Sequence, residues 1–152
     1  MFQSLSAVNV ISCAVLVSAN KNAEGRKYGV CMTEVTKVLL LLKNMVYEST
    51  SPMETLRFAN YYRKKGLDVM VILFGPMGVI LGKADKCGSP AYDEKIRECM
   101  EIGVQFKCCK LGASIIGLKG EELIPGIELI ESQEIAEMFL EYCEEGQLII
   151  TL

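Results

Sequence analysis

Residues 103–118 read GVQFKCCKLGASIIGL, and the pattern of side chains changes in the middle of this stretch. The first half, which ends at Cys108 and Cys109, is a short apolar run typical of a buried β-strand. The second half, from about Leu111, favours a short helix. Two adjacent cysteines, flanked by Lys107 and Lys110, therefore lie where a strand is predicted to become a helix.

The same succession of strand and helix occurs upstream. Residues 35–47, VTKVLLLLKNMVY, form a continuous apolar run, as expected of a strand that is covered on both faces in a parallel sheet. A helix signal follows, in which Ser51 is the expected N-cap, Pro52 occupies the first helical position and Glu54 completes a capping box. Gly66 predicts the end of this helix.

Strand and helix signals continue to alternate towards the carboxyl end. LDVMVILFG, residues 67–75, is the second strong strand, and a short helix or turn with a loop follows it. The next helix begins near Pro90 and ends at Gly103, and further strands are predicted at 127–130 and 147–152 with a helix between them. This alternation predicts an α/β fold, a three-layer sandwich in which a mainly parallel sheet of about five strands is flanked by helices.

The composition limits the class of protein. A chain of 152 residues, 51% hydrophobic and 23% charged, suits one compact domain with a sizeable core. The formal net charge is −3 and the positive charges are scattered, which argues against a nucleic-acid partner. Seven cysteines with irregular spacing indicate reduced thiols rather than a disulfide framework, so we expect a cytoplasmic protein.

The first 34 residues are predicted to be an N-terminal extension to an α/β domain at 35–152. Their apolar run lacks a basic leader segment, and polar residues interrupt it well before the roughly 20 apolar residues that span a membrane, so no anchor is expected. Residues 20–30 indicate a polar connector. Strand and helix both remain open for the apolar run, because β-branched residues favour a strand while one helical stripe contains Ala7, Ile11, Ala14, Val15 and Ser18.

The predicted architecture suggests a functional role for one cysteine of the pair. In open α/β sheets, ligand sites form beyond the carboxyl ends of strands, and Cys109 is predicted to lie at such a point. Consecutive strand residues face opposite sides of the sheet, so we expect one functional thiol. Cys109 is the candidate nucleophile, because a helix N-terminus near Leu111 and the ammonium groups of Lys107 and Lys110 would favour its thiolate. Cys108 is then expected to be a core residue.

Other chemistries have weaker signals. The chain contains no histidine, which excludes Ser-His-Asp and Cys-His catalysis within it. It also contains no C-x-x-C pair, so no metal site is expected. RFANYYRKKG, residues 57–66, interleaves aromatic and basic side chains, a pattern found on surfaces that bind single-stranded nucleic acid. Its cations fall in the last turn of a predicted helix, where they complement the helix dipole, and this structural role is favoured.

The glycine-rich stretch GPMGVILG, residues 75–82, lacks the spacing and the lysine of a phosphate loop. Nucleotide binding is therefore disfavoured. We expect Gly75, Pro76 and Met77 to shape a pocket beside Cys109.

The segment EIGVQFKCCKLGASIIGLKGEELIPGIELI, residues 101–130, resembles the DsrE/DsrF-like sulfur-relay family, which includes TusD-like and peroxiredoxin-like members. The likeness consists of an apolar strand ending in a cysteine, here Cys109, a glycine eight residues later at Gly117, and an acidic-apolar turn that follows. Residues 57–79 resemble the family's first helix, second strand and following loop. The resemblance extends over about 35–152.

The resemblance implies that Cys109 carries sulfane sulfur as a persulfide between donor and acceptor proteins, in a sulfurtransferase or thiol-redox activity without a cofactor. It also implies a homo-oligomer, often a trimer or hexamer. Cys99, on the apolar stripe of the preceding helix, is the candidate second thiol, although packing is its more common role. The alternative is a non-catalytic oligomeric α/β module that binds a small ligand or partner protein and uses its cysteines only for packing.

Overall fold

The computed structural model describes residues 9–12, 34–47, 49–86 and 90–152. The strands are β1 Asn9–Ser12, β2 Lys37–Leu42, β3 Asp68–Leu73, β4 Gln105–Cys109, β5 Glu128–Ile130 and β6 Leu148–Thr151. The helices are α1 Ser51–Lys64, α2 Gly75–Gly78, α3 Pro90–Glu101, α4 Lys110–Ile115 and α5 Ser132–Glu144, with 3₁₀ turns at Val79–Gly82 and Gly120–Glu122. The predicted order of strands and helices from residue 35 onward is confirmed.

The strands of the described chain form one sheet in the order β1-β6-β2-β3-β4-β5. The five strands from β6 to β5 are parallel to one another, and β1 pairs antiparallel with β6 at the edge. The predicted α/β class with a mainly parallel sheet is therefore confirmed. The additional edge strand comes from the N-terminal extension, for which the sequence left strand and helix open.

The strand β2 lies at the centre of the core because its neighbours cover both edges and its side chains are apolar. Residues 38–42 are all buried between β6 and β3. The strand is shorter than the apolar run at 35–47 that predicts it. It ends at Leu42 because the chain then turns towards α1, where the Asn44 side chain donates a hydrogen bond to Ser51 Oγ at 3.0 Å.

The helices form a layer on each face of the sheet. The crossovers from β2 to β3 and from β3 to β4 step in the same direction along the sheet, and α1 and α3 in these crossovers contact each other. The crossover from β5 to β6 steps in the opposite direction, and α5 packs on β6. Because parallel crossovers are right-handed, opposite steps place their helices on opposite faces. This arrangement is the expected three-layer sandwich.

The predicted cap of α1 is wrong by one residue. Thr50 is the N-cap and makes no side-chain capping bond, while Ser51 is already helical. The Ser51 hydroxyl is used in the preceding turn, where it accepts from Asn44, and the Glu54 carboxylate accepts from Arg57 at 2.9 Å instead of closing a capping box. The end of the helix agrees with the prediction, since Gly66 has a φ of +87° that favours glycine.

Several expectations for the N-terminal extension lie outside the described residues. These are the polar connector at 20–30 and most of the helical stripe, of which only Ile11 falls within β1. Among the described residues, no helix has the length and apolar character needed to cross a membrane.

Candidate functional site

The site is centred on Cys109, the last residue of β4 and the N-cap of α4. Its φ of −65° and ψ of 115° are extended, so the chain keeps its strand direction up to this residue and becomes helical at Lys110. Cys109 is only 2% exposed. The cysteine therefore lies at the carboxyl end of an interior strand and at the start of a helix, as the sequence predicts.

A second helix begins beside the same sulfur atom. The Sγ atom of Cys109 lies 4.0 Å from the hydroxyl oxygen of Ser132, the first residue of α5. The helix α5 has 13 residues, and its dipole makes its N-terminal end favourable for negative charge. The starts of α4 and α5 thus converge on Cys109.

The neighbouring Cys108 has a different environment. It is 0% exposed, and alternation along β4 directs it to the opposite face of the sheet from Cys109. Burial, and secondarily the adjacent Cys109, raises the pKa of Cys108 to about 12. A thiol with this pKa remains protonated near neutral pH, which suits a packing role.

Both lysines beside the cysteines are paired with glutamates. The Lys107 ammonium lies 3.7 Å from a carboxylate oxygen of Glu128, its register partner on β5. The Lys110 ammonium contacts the carboxylate of Glu131, and this hydrogen bond raises the pKa of Lys110. The sequence predicts that both cations favour a Cys109 thiolate. In the structure, carboxylates balance their charge.

The loop residues expected near Cys109 form α2, which packs against α4. The contact is close, because a Cβ atom on Gly112 would stand 2.7 Å from the carbonyl carbon of Gly75. Pro76 is half-buried, and Met77 is 44% exposed. The structure therefore brings Gly75, Pro76 and Met77 to the helix that Cys109 caps.

Cys99 is held elsewhere in the molecule. It is 2% exposed, and its thiol donates to the carbonyl oxygen of Leu56 in α1 at 3.7 Å. Its own carbonyl accepts from Val104 just before β4 begins, and five residues of extended chain from there to Cys109 span about 16 Å. Burial raises the pKa of Cys99. The structure does not bring this candidate second thiol to Cys109.

One groove among the described residues lies away from the cysteine pair. Its volume is about 680 Å³, and it lies between α1 and α3 with Cys99 in its lining. It shares no lining residue with the surroundings of Cys109 described above. Within the described ranges no group of three or more cysteine or acidic side chains is arranged to hold a metal ion.

Sequence reasoning missed Ser132 and the two glutamates Glu128 and Glu131. A weak signal was present, since all three lie in or just after the predicted strand at 127–130. Carboxyl ends of adjacent parallel strands share one edge of a sheet. The sequence did not indicate that β5 pairs with β4, because a local pattern does not specify the order of strands in a sheet.

Comparison with known proteins supports the fold and the family. An uncharacterized protein of Methanopyrus kandleri, MK0008, is 28% identical over 100 residues, which are 64% of this chain and 82% of that protein. The ychN protein from E. coli has a similar structure, with a TM-score of 0.64 and 23% identity over 78% of this chain and all of that one.

A second similar structure is MTH1491 from Methanobacterium thermoautotrophicum, a protein of unknown function. Its TM-score is 0.58 with 19% identity, and the match covers 76% of this chain and 98% of that chain. The model of the DsrE/DsrF-like family matches residues 36–144, which include β2 to β5, α1 to α5 and both cysteines of the pair. The chain therefore belongs to the DsrE/DsrF-like family.

Proposed function

We propose that this protein relays sulfane sulfur as a persulfide on Cys109, between a donor and an acceptor protein. The observation that carries the proposal is the position of Cys109, a thiol at the carboxyl end of an interior parallel strand where two helices begin. Membership of a family that is generally involved in sulfur relay supports it.

The transfer step needs no external oxidant or reductant. The Cys109 thiolate attacks the outer sulfur atom of a donor persulfide, and a new S–S bond forms between Sγ and that atom. The donor's own S–S bond breaks, its electron pair goes to the donor sulfur, and the donor leaves as a thiolate. The proton on the outer sulfur stays with it, so Cys109 becomes a persulfide.

Access to the sulfur is part of the proposal. Cys109 is 2% exposed, so a donor cannot reach Sγ unless the starts of α4 and α5 separate. The pair Lys110–Glu131 joins the starts of α4 and α5, and the pair Lys107–Glu128 joins the strands that precede them. Salt and a charged partner weaken such ion pairs at the surface. We propose that these contacts open transiently in the protein alone and that docking of a donor favours the open form.

Selective alkylation tests whether Cys109 is chemically activated. The protein is treated with limiting iodoacetamide at pH 7, and the modified cysteines are identified by mass spectrometry. Among the cysteines that the structure describes, Cys143 is half-buried and Cys109 is buried, so exposure alone would make Cys143 react before Cys109. We expect Cys109 to react first, because activation by its surroundings outweighs its lower exposure. Preferential labelling of Cys143 would contradict the proposal.

Loading with polysulfide tests the transfer itself. Cys109→Ser should abolish the mass increase of one sulfur atom, because oxygen cannot replace sulfur as the carrier. Cys108→Ser is the matched control and should retain loading, since its side chain lies on the other face of the sheet. Loading that survives in Cys109→Ser would overturn the relay function.

The groove between α1 and α3 favours a second candidate, a module that binds a small aromatic anion. The lining of the groove includes Phe58, Tyr61 and Tyr62 together with Lys64 and Lys95. Glu98 and the ion pair Glu54–Arg57 also line it. Within the described ranges neither lysine forms an ion pair, so both remain available to an anionic group. Under this second candidate, the cysteines serve only as packing residues.

The fluorescent aromatic sulfonate ANS is a suitable probe of this groove. Under the second candidate, its fluorescence titration saturates at one site per chain, and Lys64→Ala with Lys95→Ala weakens the binding. Lys43→Ala, an exposed lysine that does not line the groove, is the control. Equal titration curves for all variants would reject the groove as an anion site.

A further inference from the structure

Among the described residues, the sulfur atom of Cys109 has one side-chain hydrogen-bond partner, the hydroxyl of Ser132 at 4.0 Å. The lysines that would otherwise favour a thiolate are paired with Glu128 and Glu131. The question is therefore which group stabilises negative charge on this sulfur during transfer.

The Ser132 hydroxyl is available to stabilise this charge because other groups cap the start of α5. The N-cap of this helix is Glu131, whose backbone N–H donates to the Glu134 carboxylate at 2.9 Å. Among the described residues, the Ser132 hydroxyl has no hydrogen-bond partner besides Cys109. It is also half-buried, so water competes for it less than for an exposed hydroxyl.

The protonation state of the cysteine fixes the direction of this hydrogen bond. Between a thiol and a hydroxyl, either atom could donate. A thiolate has no proton and only accepts, so the hydroxyl must donate to it. Hydrogen bonds to an ionised partner are roughly twice as strong as those between neutral groups. The contact therefore becomes stronger when the sulfur is charged.

We propose that Ser132 is the positioning residue of this site, donating its hydroxyl proton to the sulfur of Cys109 in the thiolate form. Ser132 thus takes the role that the sequence suggests for Lys107 and Lys110. The inference rests on the proposed function, because it concerns the same nucleophile. It adds that the charge is held by a hydroxyl and a helix N-terminus rather than by ammonium groups.

The pH profile of alkylation tests this inference directly. The rate of iodoacetamide labelling at Cys109 is measured from pH 5 to 10 in the full chain. Ser132→Ala should move the midpoint to higher pH and slow labelling below it by about tenfold, because the thiolate loses a donor that an ionised partner binds more strongly than a neutral one. Ser132→Thr keeps the hydroxyl and should restore the profile. A Ser132→Ala profile that coincides with the wild type would overturn the inference.

Two control variants isolate the hydroxyl at Ser132. Ser114→Ala removes a hydroxyl from the neighbouring helix α4, where it donates to the carbonyl oxygen of Leu111 at 2.9 Å, and should leave the profile unchanged. Lys110→Met removes the nearby cation and its contact with Glu131, so it should raise the labelling rate at every pH but leave the midpoint unchanged. A shift in Lys110→Met without one in Ser132→Ala would assign the role to the lysine and overturn the inference.

Polysulfide loading separates this inference from the function on which it rests. Ser132→Ala should load about tenfold more slowly at pH 7 and recover at pH 9, because raising the pH restores the thiolate. A deficit that persists at pH 9 in a folded protein would mean a purely structural role and contradict the inference. Absence of loading in the wild type, together with a shifted alkylation profile in Ser132→Ala, would reject the relay function and leave the hydrogen bond established.

Discussion

Gly112 in α4 lies directly against Gly75 at the start of α2. A Cβ atom on Gly112 would stand 2.7 Å from the carbonyl carbon of Gly75 and 2.9 Å from its oxygen, closer than real Cβ contacts. Backbone atoms cannot move aside as a flexible side chain can. The close approach of these helices beside Cys109 therefore depends on the absence of a side chain at position 112.

Gly112→Ala should destabilise the protein by about 1–3 kcal/mol, because overpacking forces α2 and α4 apart. The free energy of unfolding in urea measures this loss. Gly120→Ala is the control, since its Cβ would meet only the Leu129 side chain at 3.4 Å, an ordinary contact. Equal stability of the two variants would show that α4 accommodates the methyl group without cost.

Lys86 and Asp93 should be needed together for stability. Their side chains are 2% and 8% exposed, and they form an ion pair. Lys86→Met should cost about 3–5 kcal/mol, because the Asp93 carboxylate would stay buried without its partner. Urea unfolding gives the value. Lys83→Met, which breaks an exposed pair with Glu122, should barely change the unfolding midpoint. Similar effects of both variants would contradict the burial argument.

Cys108 should make the fold sensitive to alkaline pH. Burial raises its pKa from an ordinary 9.0 to about 12, so between these values the unfolded chain loses a proton that the folded chain keeps. The contribution of Cys108 to stability is therefore constant below about pH 9 and falls above it, with a slope of about 1.4 kcal/mol per pH unit.

Thermal unfolding from pH 8 to 11 measures this alkaline loss. Tyr142, whose pKa burial raises to about 12, also contributes above pH 10, so comparison with Cys108→Ala isolates the share of the cysteine. The variant should lose stability less steeply with pH, although it is less stable at pH 8. Parallel curves for the wild type and Cys108→Ala would contradict the prediction.

We expect a homo-oligomer, a trimer or hexamer, in solution. The family resemblance motivates this expectation, and exposed apolar side chains on and beside α4 support it, with Leu111, Ile115 and Ile116 at 59%, 64% and 41% exposure. Obligate interfaces are more apolar than ordinary surface. Light scattering should give a multiple of 16.8 kDa, and Ile115→Lys should lower it. A wild-type mass of 16.8 kDa at micromolar concentration would contradict the expectation.

The local pattern of the sequence was sufficient to predict the fold class and the position of Cys109. Continuous apolar runs at β2 and β3 are typical of strands buried on both faces, and glycines such as Gly66 and Gly103 end helices because they adopt positive φ. The transition from strand to helix at Cys109 is of the same local kind. It depends on residues that are neighbours in the chain.

The tertiary structure alone decided what surrounds the sulfur. Ser132 is 23 residues from Cys109, and the two meet because β5 pairs with β4 and α5 begins at the same edge of the sheet. The same pairing joins Lys107 to Glu128, which balances a charge that the sequence assigned to the thiolate. The packing of α3 against α1 holds Cys99 away from Cys109. Propensity and periodicity are set by nearest neighbours, whereas strand order and electrostatic partners are set by long-range packing, which a local pattern does not specify.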